Sequence, residues 1–141
     1  VTARLRHLNY HIVGEDAGII VFDFAAGQTG LFDGNRLNDH VAENTRLTMG
    51  EMWLEGSAGV LRLDGRARLW WKPQGGNEVQ HPYSWPDTGF AGDSVHALQA
   101  HVISHLRNGT CLENSAREYL RNIEIEEAVY RSSKENRHIP L

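Results

Sequence analysis

A single cysteine, Cys111, stands in the 141 residues, so no disulfide can close within the chain and no thiolate cluster can hold a metal. The thiol is expected to be packed and reduced, as in a cytoplasmic protein. Apolar residues never run for the ~18 positions a membrane-spanning helix needs, and no signal-peptide pattern opens the chain. Positive charge is short as well: 14 Lys and Arg face 18 Asp and Glu, a formal net charge of −4. A general nucleic-acid binder needs a basic face to neutralise phosphates, and this balance does not supply one. It also leaves an anionic membrane surface unattractive. Two glycine signatures are missing. There is no G-x-G-x-x-G after a strand and no G-x-x-x-x-G-K-[ST], so neither familiar nucleotide cradle is present. No Ser occupies a G-x-S-x-G elbow, and Ser57 within Gly56-Ser57-Ala58-Gly59 reads as a turn between strands. Internal repeats are absent too.

What remains is an ordinary globular composition, 40% hydrophobic and 23% charged, in a length that fits one domain and buries roughly two-thirds of its unfolded surface. The opening "VTARLRH" lacks Met and alternates like a strand from its first residues. This predicts a piece of a longer polypeptide.

The first two-thirds reads as strands. "AGIIVFDFAAG" is rich in Ile, Val and Phe and closes at Gly27, the pattern of a buried strand. Asp33-Gly34 follows as a turn signal, and residues 35–44 read as a loop or helical turn. In "RLTMGEMWLEG", Leu47, Met49, Glu51, Trp53 and Glu55 face one way, and Thr48, Gly50, Met52 and Leu54 the other. "GVLRLDGRARLWW" predicts a hairpin with a two-residue turn at Asp64-Gly65, between Val60–Leu63 and Ala67–Trp70. Lys72-Pro73-Gln74-Gly75-Gly76 ends the second strand.

From Asp93 the period changes to helical. Val95, Leu98, Val102 and Leu106 form one apolar stripe that Gln99 and Ile103 widen. Asp93 or Ser94 can cap its start, and Gly109 can close its end. A second helix is expected from about Asn114 to Lys134, with Ala116, Leu120, Ile123, Glu127 or Ala128, and Tyr130 along one side. Glu113 and Asn114 suit its positive end, Arg131 and Lys134 its negative end. The tail "HIPL" could add an edge strand. Strands followed by two helices predict α+β: an open, mainly antiparallel sheet with helices on one face. The other face carries a choice of Trp53, Trp70, Trp71 and Phe22, and so large an apolar surface predicts an interface.

Candidate chemistry is sparse. His101 and His105 in "HVISH" have the spacing of two metal ligands on one helix. A metalloprotease helix, however, carries Glu directly after the first His, where Val102 stands here. Both histidines flank the apolar stripe and read as polar neighbours rather than as ligands. Glu124, Glu126 and Glu127 read as a solvated helix face. Only spacing supports Asp33 with Asp39, or Glu51 with Glu55, as acid/base pairs. The aromatic loop "HPYSWPDTGFAGD" is the most site-like stretch. Tyr83 or Trp85 could face a polar ligand such as a sugar there, or simply pack against the helix start.

Taken together, four motifs resemble the C-terminal domain of the glucose–fructose oxidoreductase / inositol dehydrogenase (Gfo/Idh/MocA) family. They are Glu55-Gly56-Ser57-Ala58-Gly59 ending a strand, Gly92-Asp93 opening a helix that ends His105-Leu106-x-x-Gly109, Tyr119-Leu120-x-Asn122, and Glu127-Ala128-x-Tyr130-x-Ser132. Gly14-Glu15-Asp16 before an apolar strand fits as well, and the resemblance covers nearly the whole chain. It implies a parent that joins this domain, residues 1–141, to an N-terminal Rossmann domain binding NAD or NADP and absent from this chain. The parent would act on a sugar or polyol-like hydroxyl, with this domain's sheet forming a substrate wall and a homo-oligomer interface. The family's Glu-Lys-Pro and Asp-x-x-x-His motifs are absent; Trp71-Lys72-Pro73 is a superficial echo. No catalytic, cofactor-binding or metal-binding residue therefore carries over. Only Tyr83 and Trp85 match a region that borders substrate. The alternative expectation is a stand-alone homodimeric binding or assembly domain without enzymatic activity.

Overall fold

The computed structural model describes residues 1–38, 50–84, 88–89 and 91–141. Among these the elements run β1 (Thr2–Arg6), β2 (Ala17–Asp23), β3 (Thr29–Asn35), β4 (Met52–Gly56), β5 (Gly59–Leu63), β6 (Leu69–Pro73), β7 (Val79–His81), α1 (Ser94–Asn108) and α2 (Ala116–Glu135). The class is α+β as expected, with antiparallel strands in two sheets of order β1-β2-β3 and β4-β5-β6-β7. Two compact units result: Val1–Asp39 with Glu113–Leu141, and His40–Leu112. The expected positions Leu47, Thr48 and Met49 lie outside the described residues.

In the first unit, β2 and β3 join through residues 24–28. The Phe24 carbonyl accepts from Gly27 N–H at 2.9 Å, and Phe24 N–H donates to the Gln28 carbonyl at 2.9 Å. Gly27 takes φ 88°, the left-handed residue that a three-residue hairpin loop requires. The turn expected at Asp33-Gly34 is not there. Both residues lie inside β3, paired with Ile19 and Gly18, because Gly27 has already reversed the chain. A Cβ at Gly34 would stand 2.6 Å from Cε1 of Phe32, so glycine here lets that ring fold back over the strand.

The core of this unit is Val1, Ala3, Ala128, Val129 and Ile139, with Leu5, Ile20, Phe22 and Ile125 against it. Each well-buried aliphatic contributes about 1.5–3 kcal/mol. Ile125, Ala128, Val129 and Ser132 follow i, i+3, i+4, i+7, and this is the side of α2 that is covered. The stripe expected through Leu120, Ile123 and Tyr130 is exposed instead, because the contact with β1 runs along residues one step round the helix. Ser115 caps α2: its hydroxyl accepts from Glu118 N–H, and the Glu118 carboxylate accepts from Ser115 N–H at 3.1 Å. This reciprocal box satisfies two otherwise orphaned donors.

The outer edge of β1 is sealed by the chain's own end. Val1 nitrogen donates to the Ile139 carbonyl at 2.6 Å, and Ile139 N–H donates to the Val1 carbonyl at 2.9 Å, so the tail does pair with the edge. Ala3 N–H donates to Ser132 Oγ and Leu5 N–H to Ser133 Oγ, both at 2.9 Å. The hydroxyl of Ser132, fully buried, donates in turn to the Arg137 carbonyl at 2.6 Å. Unpaired edge donors, a standing risk in sheet proteins, are thereby closed.

In the second unit, alternation sorts the β4–β7 sheet into two faces. Met52, Leu63 and Leu69 are opposite one another, as are Leu54, Leu61, Trp71 and Val79, and these share one apolar face. Trp53, Arg62, Trp70 and Gln80 make a row on the other. Phe22 belongs to neither face, since it lies in the first unit's sheet. Ser57-Ala58 turns β4 into β5 as expected, with Gly56 facing Gly59. Gly59 has φ 146°, and a Cβ there would collide with the Lys72 carbonyl and the Trp71 ring.

The hairpin after β5 exists, but its turn is longer than the expected Asp64-Gly65. Leu63 pairs with Leu69, and Ala67, not Gly65, takes the left-handed conformation at φ 60°. The Asp64 carbonyl accepts from Ala67 N–H at 2.9 Å, which repeats the 24–28 arrangement with alanine in place of Gly27. The cause is the Asp64 carboxylate, described below. Helix α1 ends on Gly109 at φ 66°, whose N–H donates to the His105 carbonyl. At its start Asp93 is left-handed, makes no side-chain cap, and accepts from Thr88 Oγ1 at 2.8 Å. Val95, Leu98, Val102 and Leu106 are all exposed. No described helix is long and apolar enough to cross a membrane.

Candidate functional site

Of the two substrate-facing residues expected from the sequence, Tyr83 is described and Trp85 lies outside the described residues. The Tyr83 hydroxyl donates to the Ala67 carbonyl, tying the stretch after β7 to the β5–β6 turn. Its ring remains 45% exposed. A phenol already bonded to backbone is suited to present a ring face rather than to move a proton.

That turn is organised by Asp64, 5% exposed. One carboxylate oxygen accepts from Arg66 N–H at 2.9 Å and Arg68 N–H at 3.1 Å. The other accepts from Arg68 Nε at 2.7 Å and Trp70 Nε1 at 3.0 Å. Burial pushes the carboxyl up, but Trp70, the two backbone donors and Arg68 together outweigh it and hold Asp64 well below the usual carboxylate range. On the same hairpin, the Arg62 guanidinium stacks 5.5 Å from the Trp53 ring and 5.2 Å from Trp70. It is bonded twice to Glu78, at 2.7 and 3.2 Å. The Glu78 bond raises Arg62 and in return lowers Glu78. The result is a rigid ladder of alternating ring and cation, and nothing in it is a free acid or base.

A second concave region lies within the first unit, between α2 and the three-stranded sheet, with a volume of about 540 Å³. Gly18 and Gly34, cross-strand partners, form part of its floor. Leu5, Ile20, Phe22, Phe32, Ile125 and Val129 make apolar walls, and Glu15, Arg36, Asn122, Glu126 and Tyr130 stand at its polar margin. Tyr130 Oη donates to Glu15 Oε1 at 2.5 Å. That bond lowers Glu15 and raises Tyr130. The neighbouring Asp16 is spent on structure: it accepts from Leu8 and Asn9 N–H at 2.8 and 2.5 Å, and the Leu8 bond chiefly lowers it.

His101 and His105 do not gather a metal set; among the described residues no three His, Cys, Asp or Glu side chains could hold an ion. His105 Nδ1–H donates to the Thr110 carbonyl at 2.5 Å, part of the close of α1. Of the carboxylate pairs, Asp39 lies outside the described residues, Glu124 is paired with Arg121 at 2.8 Å, and Glu51 bears electrostatically on Arg62.

Sequence reasoning missed Asp64 as a hub, the Glu15–Tyr130 contact and the glycine pair. Asp followed by backbone donors two and four residues on is a legible turn signal. The other two depend on register and on residues 115 apart.

No protein-family model matches the chain. The D-apiose dehydrogenase of Paraburkholderia graminis is 29% identical over 147 aligned positions, which cover all of this chain and 39% of that protein. An oxidoreductase from Agrobacterium radiobacter, solved with NAD+, L-tartaric acid and magnesium, superposes with a TM-score of 0.77 at 25% identity, over 96% of this chain and 41% of that one. The WlbA dehydrogenase of Bordetella pertussis, solved with NADH and UDP-GlcNAcA, shares the fold at TM-score 0.67 and 20% identity, over 99% and 37%. The chain thus spans about two-fifths of the length of each relative. What it matches, in sequence and in fold, is the C-terminal domain of Gfo/Idh/MocA-type oxidoreductases.

Proposed function

We propose that this chain is the substrate-facing and assembly domain of an oxidoreductase that moves a hydride between NAD or NADP and a hydroxyl-bearing carbon of a sugar or polyol. The observation that carries this reading is the double match: a sugar dehydrogenase in sequence and an NAD-bound oxidoreductase in fold, each over only about two-fifths of its length. Dinucleotide binding and proton transfer then fall to residues that this chain lacks, in a Rossmann domain of the parent. The chain's own part is to supply a wall beside substrate, through Tyr83 and Trp85, and a contact with a second copy. Support for that contact comes from the apolar face of β4–β7, where Met52, Leu54 and Val79 are each more than half exposed.

The test is NAD(H) titration of this chain beside the full-length parent. The parent is expected to bind and to reduce cofactor with a polyol, and this chain alone is expected to do neither. Tight binding by the 141-residue chain would refute the division. For assembly, Leu54→Lys should convert a dimer to monomers in sedimentation, and an unchanged mass distribution would refute the face assigned.

A further inference from the structure

We propose that the cleft between α2 and the three-stranded sheet is a binding site of its own, for a neutral polyhydroxylated ring. It borrows from the proposed function only the choice of sugars as probes. Its volume of about 540 Å³ suits a small organic molecule, and it combines apolar walls with a few convergent polar groups, as ligand sites do. Gly18 faces Gly34, and the Leu5 and Phe32 side chains lie against them where Cβ atoms would collide, so these two side chains form the near walls of the cleft.

The margin selects the ligand by its mixed charge. Glu15 and Glu126 would repel an anion, and Arg36 would repel a cation. A hydroxyl both donates and accepts, so it can satisfy carboxylate, guanidinium and the Asn122 amide at once. The C–H faces of a sugar ring would lie on Phe22 and Phe32, and the Glu15–Tyr130 bond pins two of the polar partners in advance. Tyr83 and the β5–β6 hairpin take no part.

The experiment is amide NMR of the 141-residue chain titrated with D-xylose or myo-inositol, and separately with tartrate. Saturable shifts in the millimolar range are expected at Gly18, Gly34 and Ile125 with the neutral polyols, and much weaker ones with tartrate. Asn122 and Glu126 are themselves exposed at the margin of the cleft, so their variants should keep the fold. Asn122→Trp should abolish the shifts by plugging the mouth, and Glu126→Gln should weaken binding about tenfold, the scale of one charged hydrogen bond. Shifts absent from the cleft, or tartrate binding as well as xylose, would overturn the proposal. Sugar shifts confined to Tyr83 and its neighbours would overturn it while leaving the proposed function intact. Cleft shifts beside a parent inert toward polyols would do the reverse.

Discussion

Replacing Asp64 by asparagine changes one oxygen to an NH2 group and should cost the β5–β6 hairpin about 2 kcal/mol. The direction follows from which donors meet which oxygen. The amide oxygen can still accept from Arg66 and Arg68 N–H, but the new NH2 then faces Arg68 Nε and Trp70 Nε1, two donors with nothing to receive them. Charged hydrogen bonds are worth about 1.5–3 kcal/mol each. The sum is discounted because Arg68 is 47% exposed and its pair is screened by solvent. Alanine, which loses all four bonds, should cost about 3 kcal/mol, again less than additive.

Urea unfolding followed by far-UV circular dichroism reads the difference as a lower midpoint at unchanged slope. The effect must also depend on pH. A carboxyl held below its ordinary 3.8 in the fold contributes stability that is fully present above that value and is lost as pH falls toward the folded one. The gap between wild type and Asp64→Asn should therefore be constant from pH 7 to about 5 and narrow below about 4. An asparagine variant within about 0.5 kcal/mol of wild type, or a gap at pH 3 as wide as at pH 7, would refute the role given to this carboxylate.

Ala67→Gly should stabilise the same hairpin by about 0.5–1 kcal/mol, since it removes left-handed strain that exceeds glycine's entropic cost; a lower urea midpoint would contradict it. Gly59→Ala should cost more than about 3 kcal/mol, because its Cβ meets backbone on the neighbouring strand as well as a positive φ, and a cooperative wild-type melt would contradict it. Ser132→Ala strands the Ala3 N–H and the Arg137 carbonyl and should cost about 2–4 kcal/mol, with faster amide exchange at Ala3 as the specific readout. Tyr130→Phe should raise the Glu15 titration midpoint seen by carbon NMR, since Tyr130 is the chief cause of its depression.

The elements were legible wherever a single period or cap decided them. Val95 to Leu106 announced α1, Gly109 its end, and Gly56-Ser57-Ala58-Gly59 a tight turn, because each is a local property of φ and of side-chain spacing. Asp33-Gly34 misled for a physical reason. The dipeptide favours a turn only when nothing nearby has turned already, and Gly27 had. Asp64-Gly65 misled differently: an aspartate that can recruit Arg66, Arg68 and Trp70 stabilises a wider loop than glycine's freedom alone would choose. Which side of α2 is covered was not legible, since Leu120 and Ile123 are as apolar as Ile125 and Val129. Only the docking of α2 on β1 separates them.

The site was less legible than the fold, and the burial pattern shows why. Among the described residues the largest fully buried side chains are Ile139 and then Ser132, while Trp53, Leu54, Leu31, Phe32 and Leu106 stand more than half exposed. A domain of this size would normally cover far more of its apolar surface. Much of the local order rests instead on polar hubs, Asp16, Asp64 and Ser132, each satisfying several backbone donors that would otherwise face water. Such hubs hold turns and edges without filling a core. In the role proposed for it, a chain that spans about two-fifths of its relatives would use these exposed apolar faces as walls and contacts, which the Leu54→Lys variant tests directly.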